Sequence, residues 1–440
     1  MSVKIPKRIS TAIINSLTAG VVPRVGLEYI AVGRKQETQT ILRDLENLSE
    51  GAAAFRFVVG RYGSGKSFLL QIIRNYAMEQ DFVVADVDLS PEKRLSGSGN
   101  QGLNTYRELM QRLSTKLRPD GGALEAIMQK WISSVKMNVL SSGISPSDPR
   151  LDDLVETKII ETIGAMESFA HGFDFATVLS TYYKAFIQGN DELKQAAVKW
   201  IRGEFSTKTE AKSVLHVGEI ISDDNWYDYI KLFSCFTRQI GYKGLVIFID
   251  ECVNLYKISN RQSRENNYEK LLSMFNDTMQ GKAQYLGIYM AGTPQFVEDE
   301  RRGLYSYAAL KSRLSDSRFA QNGYVDFNSP IIRLQQLTNE EIFVLLERLS
   351  DIHAFHFSYE TAITDAQIIT FMQIVNSRLG AEQLLTPREV TRDYLGLLNI
   401  MQQDTSATFD TLIHANGFEV QALAQNPDEL SADEYAAFEL

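Results

Sequence analysis

Residues 60–67, Gly60-Arg61-Tyr62-Gly63-Ser64-Gly65-Lys66-Ser67, follow the pattern G-x-x-x-x-G-K-[ST] of a phosphate-cradling loop. An apolar run from Phe55 to Val59 leads in, and a second apolar run with helix-like spacing, opened by Phe68, leads out. The strand before and the helix after that the motif requires are therefore both expected. Gly60, Gly63 and Gly65 allow positive φ and close approach of the backbone to a ligand. Successive N–H groups then face inward ahead of a helix N-terminus, which makes a concave anion site. In such a site Lys66 reaches the β- and γ-phosphates of a nucleotide, and the Ser67 hydroxyl sits on Mg2+.

Further chemistry-bearing residues lie downstream. The apolar run Leu245 to Ile249 ends in Asp250-Glu251, which reads as a buried parallel strand with two carboxylates at its carboxyl end. Asp250 is expected to hold the Mg2+ shell through water or Ser67, and Glu251 to polarise an attacking water; the plainer alternative is a helix cap. Residues 285–291 run as another strand into Gly292-Thr293-Pro294, where Thr293 either orients water beside the acidic pair or closes the strand in a turn. Arg301, Arg302, Arg313 and Arg318 follow. They form a solvated face, or one of them acts on a neighbouring subunit's nucleotide; Arg313, within Leu310–Leu314, is favoured. Thr386-Pro387-Arg388-Glu389 forms a capping box with proline at the first helical position. Arg388 then stands in the first turn, where the helix dipole disfavours a cation by about 0.3–1 kcal/mol. A γ-phosphate would offset that cost, making Arg388 a sensor in cis; the alternative is a surface salt bridge. The turn holding Pro23 and Val32 passes over an adenine or simply joins two helices.

These residues need elements to position them. Ile9, Ile13, Ile14 and Leu17 are spaced for a helix closed by Gly20, and Ile41, Leu42, Leu45 and Leu48 for a second. Residues 81–89 read as a strand with Asp86 and Asp88 near its end. Residues 96–102 read as a flexible loop, and the interval from Tyr106 to Phe236 as mostly helical. Residues 331–440 read as mostly helical, with a capping box at Thr338-x-x-Glu341. His353 and His356 lie there without the cysteines or carboxylate motif of a metal site. The expected architecture is α/β, a P-loop core with a parallel sheet. A helical segment with the adenine-side turn occupies 1–50, the core 51–330 with its helical insertion at about 106–236, and a helical lid with an acidic tail 331–440.

A chain of 440 residues exceeds one ordinary domain, and 44% hydrophobic content is ample for cores. No run approaches the ~18 apolar residues of a membrane span. The basic N-terminus lacks the apolar stretch of a secretory signal, and two cysteines cannot build a disulfide framework, so a reducing cytoplasm is expected. A net charge of −10 argues against a constitutive nucleic-acid surface. No lysine or arginine follows Arg392, so the tail is either a solvated end or a docking segment for a basic partner.

With these pieces placed, the chain resembles the ATP-binding proteins of BREX-type and related bacterial anti-phage defence cassettes (BrxD-like), within the broader AAA+/origin-recognition-like class. The resemblance is carried by SLTAGVVPRVGLEYIAVGR, FRFVVGRYGSGKSFLL, DFVVADVDLS, GYKGLVIFIDE, AGTPQF, SYAALKSRL and LTPREVTRDYLGLL. It implies a cytoplasmic Mg2+-dependent ATPase, acting as a homo-oligomer beside helicase- or methyltransferase-type proteins of a defence cassette. DNA would be met through those partners or an oligomeric channel. A nucleotide-locked scaffold with negligible turnover, or an initiator-like ATPase gripping duplex directly, are the alternatives.

Overall fold

The computed structural model describes residues 5–164, 166, 169–317, 325–360, 363–376, 386–404 and 406–413. The chain divides into two compact units: Met1–Lys35, Gly60–Ile72 and Leu334–Leu440 make the first, and Gln36–Val59 and Ile73–Arg333 the second.

Five strands of the second unit form one sheet: β1 (Ala53–Val59), β2 (Val83–Asp88), β3 (Leu245–Asp250), β4 (Leu286–Gly292) and β5 (Ile331–Arg333). Their order is β2-β3-β4-β1-β5, and every pairing is parallel. β3 and β4 are near-continuous apolar runs because both faces are covered, as parallel sheets require. Helix Arg261–Met279 packs on β1, Gln101–Gln111 on β2 and Trp226–Gln239 on β3. Register aligns Val59 with Gly292 and with Arg333, and Asp88 with Asp250, so the carboxyl ends share one edge. β1 lies between β4 and β5, strands consecutive in the chain but on opposite sides of it.

β5 opens a segment expected to be mostly helical, and is a strand not foreseen from the sequence. Ile331-Ile332-Arg333 is too short to show a period of its own, and it is held by β1 and by the Phe57 N–H donating to Pro330 O at 2.8 Å. Residues 96–102 also differ from expectation. The Gly97, Gly102 and Leu103 N–H groups donate to the Asp223 carboxylate, and those of Leu95 and Ser96 to Asn267 Oδ1. Both anchors are distant in sequence, so composition alone could not reveal them. Between β2 and β3 the helices Leu124–Ser141, Leu151–Gly164, Gly172–Gln188, Asp191–Ile201 and Lys208–Leu215 bury Trp131, Tyr182 and Trp200 in a core continuous with the sheet's.

Arg56 projects from β1 at only 12% side-chain exposure and forms a fork on Asp44, itself 10% exposed, with both N–O distances 2.8 Å. Its Nη1 also donates to the carbonyls of Phe327, Asn328 and Ser329, the approach to β5. One guanidinium thus joins helix Lys35–Ser49, β1 and the start of β5.

The first unit has its own core, in which Ile13, Ile14 and Ile30 meet Leu346, Leu349, Phe371, Tyr394 and Leu398. Helices Lys7–Thr18, Asn339–Phe357, Asp365–Asn376 and Pro387–Gln403 supply it. Both capping boxes form with their reciprocal bonds, Thr338 with Glu341 and Thr386 with Glu389. His353 is fully buried, with Nδ1 bonded to Tyr359 Oη at 2.7 Å and Nε2 to Asn399 Oδ1 at 3.0 Å. Burial lowers its pKa. Cys235 and Cys252 are both buried, and burial raises each thiol's pKa. No helix among the described residues is long and apolar enough to cross a membrane.

Removing one partner of a buried ion pair strands the other charge, so Arg56→Ala should cost about 3–5 kcal/mol, read from the denaturant midpoint. A second expectation concerns acid. The folded state holds His353 below its unfolded pKa, so the neutral form's stabilisation is fully present above about 6.5 and is lost as pH falls below it. Unfolding measured from pH 7.5 to 5 should show that loss, and His353→Gln should flatten it.

Candidate functional site

In the first unit, the sequence after β1 turns sharply and then enters helix Lys66–Glu79. Gly63 has φ +72° and Gly65 φ +92°, the left-handed region that L side chains avoid. Gly60, expected to do the same, is not among the positive-φ residues. Glycine is needed there for space, since a Cβ would come within 2.4 Å of Ser64 Oγ. The Ser64 N–H donates to Arg61 O at 3.2 Å, and the Leu69 N–H to Gly65 O at 2.9 Å, which starts the helix. Lys66 Nζ donates to the carbonyls of Gly60 and Arg61, each at 2.9 Å. Ser64 is 5% exposed, and its hydroxyl has no hydrogen-bond partner among the described residues.

The same unit brings helix Pro387–Gln403 onto this loop. A Cβ at Gly63 would lie 2.5 Å from the Thr386 side chain, so the N-cap of helix Pro387–Gln403 touches the loop. Arg388 Nη1 donates to Tyr62 Oη at 2.6 Å, with the guanidinium 5.1 Å from the ring centre. Arg34 Nη2 donates to the Ser64 carbonyl at 2.9 Å. Val32 and Phe68 are half-buried against the unit's core, and Pro23 is buried. Sequence reasoning placed Arg388 and Tyr62 at one site but did not foresee their bond. It missed the Thr386–Gly63 fit and the role of Arg34, whose only signal is its place after Gly33 in a turn before a helix.

In the second unit the acidic pair ends β3. Asp250 Oδ1 accepts the Glu251 N–H at 2.7 Å, and Asp250 O accepts the Leu89 N–H at 3.0 Å. Glu251 is exposed and adopts φ +57°. A non-glycine residue there costs on the order of 1–3 kcal/mol, a strain typical of functional positions. Asp88 stands opposite Asp250 on β2. Partial desolvation raises its carboxyl pKa, Asp250 adds to the rise, and Arg112 opposes it. Asp86 is engaged by Arg74 at 2.9 Å and Arg112 at 3.0 Å, a pairing without a sequence signal.

Thr293 is buried, and its hydroxyl accepts the Phe296 N–H at 3.4 Å as N-cap of helix Pro294–Glu298. Arg313 is exposed; its partners are Asn276 Oδ1 at 2.9 Å and Ala309 O at 2.8 Å. Arg302 donates to the carbonyls of Tyr256 and Ile258, bracing the segment after the acidic pair, while Arg301 is exposed. Arg318 lies outside the described residues.

The family model for the BREX system ATP-binding protein BrxC/D matches residues 5–416, and the chain belongs to that family. No curated protein matches the chain. The phosphate-loop sequence is thus found in a family defined by ATP binding.

Gly63→Ala imposes a left-handed alanine and a collision with Thr386, so it should lower stability by about 1–2 kcal/mol from the backbone alone. Denaturant unfolding checks this, and Thr386→Ser, which removes a methyl from the crowded side, should recover part of the loss.

Proposed function

We propose that this BREX ATP-binding protein hydrolyses ATP to ADP and phosphate in a Mg2+-dependent reaction, with an AAA+-type core. The observation that carries hydrolysis beyond binding is Glu251, held left-handed directly after Asp250 at the carboxyl end of β3. A strained backbone at a strand end in a parallel sheet, at an exposed glutamate, suits a group that must orient water.

The residues fit a triphosphate. The loop supplies N–H donors from residues 60–67 and a helix N-terminus. The buried, unpartnered Ser64 hydroxyl is a donor that a phosphate oxygen would satisfy; left alone, such a group costs about 1–3 kcal/mol. Lys66 exchanges the Gly60 and Arg61 carbonyls for the β- and γ-phosphates. Ser67 and Asp250 would hold Mg2+, which would supply neutralisation of the charge on the phosphate oxygens. Glu251 takes the proton of the water that attacks the γ-phosphorus as the bond to the ADP oxygen breaks, and Thr293 orients that water. Arg388 leaves Tyr62 for the γ-phosphate in cis, while Arg313 reaches the nucleotide of a neighbouring copy. Pro23, Val32 and Phe68 flank the adenine.

On this reading the segment 331–440 acts as a lid on the core 51–330, with residues 1–50 on the adenine side. The γ-phosphate state moves the lid and changes subunit packing. The work is assembly or remodelling of a cytoplasmic anti-phage complex on DNA, with helicase- or methyltransferase-type partners from the same cassette. DNA is contacted through those partners or a channel formed by the homo-oligomer. The family description, ATP binding in a BREX system, supports the setting.

Glu251→Gln should bind ATP normally and lose turnover by roughly 10²–10⁴-fold, the usual contribution of a general base. Lys66→Ala should lose nucleotide affinity. Steady-state phosphate release and equilibrium binding measure the two, and wild-type turnover in Glu251→Gln would overturn the mechanism. Tight ATP binding without turnover in the unmodified protein would instead favour a nucleotide-locked scaffold.

A further inference from the structure

The phosphate loop is held by two cations of different standing. Lys66 Nζ secures the carbonyls of Gly60 and Arg61. Under the function proposed above, Lys66 is drawn to phosphate, and those two peptides then lose their anchor. Arg34 secures a third carbonyl, that of Ser64, at 2.9 Å. Its Nη2 also donates to Gln335 O at 2.6 Å, so both protons of that nitrogen are committed to backbone oxygens. Gln335 lies just ahead of the lid helix Asn339–Phe357, and Arg34 in the turn just ahead of helix Lys35–Ser49.

The Ser64–Gly65 peptide is trans and planar, so its C=O and N–H point opposite ways. Fixing the Ser64 oxygen on Arg34 therefore fixes the Gly65 N–H on the other side of the loop. Gly65, at φ +92°, has a wide range of alternative conformations open to it, and a flipped peptide would present an oxygen to phosphate instead of a donor. Backbone N–H groups of such a loop cradle the α- and β-phosphates.

We infer that Arg34 is a positioning residue that presets the phosphate loop for nucleoside di- and triphosphates, touching the loop backbone rather than the nucleotide. The inference rests on the proposed ATPase function and adds a specific element to it. Arg34 maintains the cradle whether Lys66 is on the loop carbonyls or on phosphate. Its interaction is the same in ground and transition states, so it governs affinity and not the chemical step. A lysine at position 34 keeps the charge but carries its donors on a differently shaped stem without the planar guanidinium that sets the directions of the two Nη2 protons, and serves the two carbonyls less well.

The test measures ATP and ADP binding together with steady-state hydrolysis for the full chain, Arg34→Ala and Arg34→Lys, with thermal unfolding of each without nucleotide. Arg34→Ala should weaken ATP and ADP binding by roughly tenfold and raise KM in step, with kcat within about twofold, the pattern of lost uniform binding. Arg34→Lys should fall between Arg34→Ala and the wild type. A purely structural role would lower the nucleotide-free unfolding temperature and leave KM unchanged, which would overturn the inference. So would a kcat loss with KM intact. Should Arg34→Ala fail to fold, wild-type KM and affinity in Arg34→Lys would overturn it equally. Failure of the unmodified protein to bind ATP would remove the proposed function, and this inference with it; binding that is insensitive to position 34 would remove this inference alone.

Discussion

Parallel strands cannot be joined by a tight turn; each must be followed by a crossover that carries the chain back to the starting edge. Every strand of this sheet therefore releases its chain at the same edge, the one marked by Val59, Asp88, Asp250, Gly292 and Arg333. Three of the proposed site residues are the ones that come next in the chain. Gly60 follows β1, Glu251 follows β3 and Thr293 follows β4. Long crossovers place no strain on this arrangement, which is why the stretch between β2 and β3 accommodates a whole helical core without disturbing the pairing of Asp88 with Asp250.

Arginine is used here for two purposes that its chemistry makes hard to separate by sequence. Arg56 spends its fork on Asp44 and its remaining nitrogen on three carbonyls. Arg74, buried beneath the sheet edge, joins Asp86, Ser114 Oγ and Pro119 O. These are braces within their own unit. Arg388 differs. It is exposed, sits in a first helical turn where a cation is disfavoured, and is met by a phenol and the face of an aromatic ring rather than by a carboxylate. A cation with so modest a partner can be recruited by a stronger one at small cost.

The legible parts of the chain were those with a local signature. β1 to β4 are apolar runs ending in turns or carboxylates, and both capping boxes read directly from Thr-x-x-Glu spacing. β5 was not legible because three residues carry no period and its extended state is imposed by β1. Residues 96–102 looked loose because their anchors lie far along the chain, Asp223 in the turn before helix Trp226–Gln239 and Asn267 in helix Arg261–Met279. Within the phosphate loop, glycine at 63 and 65 was read for its φ. Gly60 was read the same way, although packing against Ser64 is what demands it. Helical spacing placed Arg388 correctly on its first turn, but no rule of spacing predicts that its partner is Tyr62.

The two thiols of this chain are sealed: Cys252 lies fully buried behind the acidic pair, Cys235 in the helical core, and neither readily yields a thiolate. The native protein is consequently close to silent toward maleimide chemistry. A fluorophore or spin label attached through an introduced cysteine at an exposed position such as Ser312 would report from that position alone, without first stripping the natural sulfurs and the packing they provide.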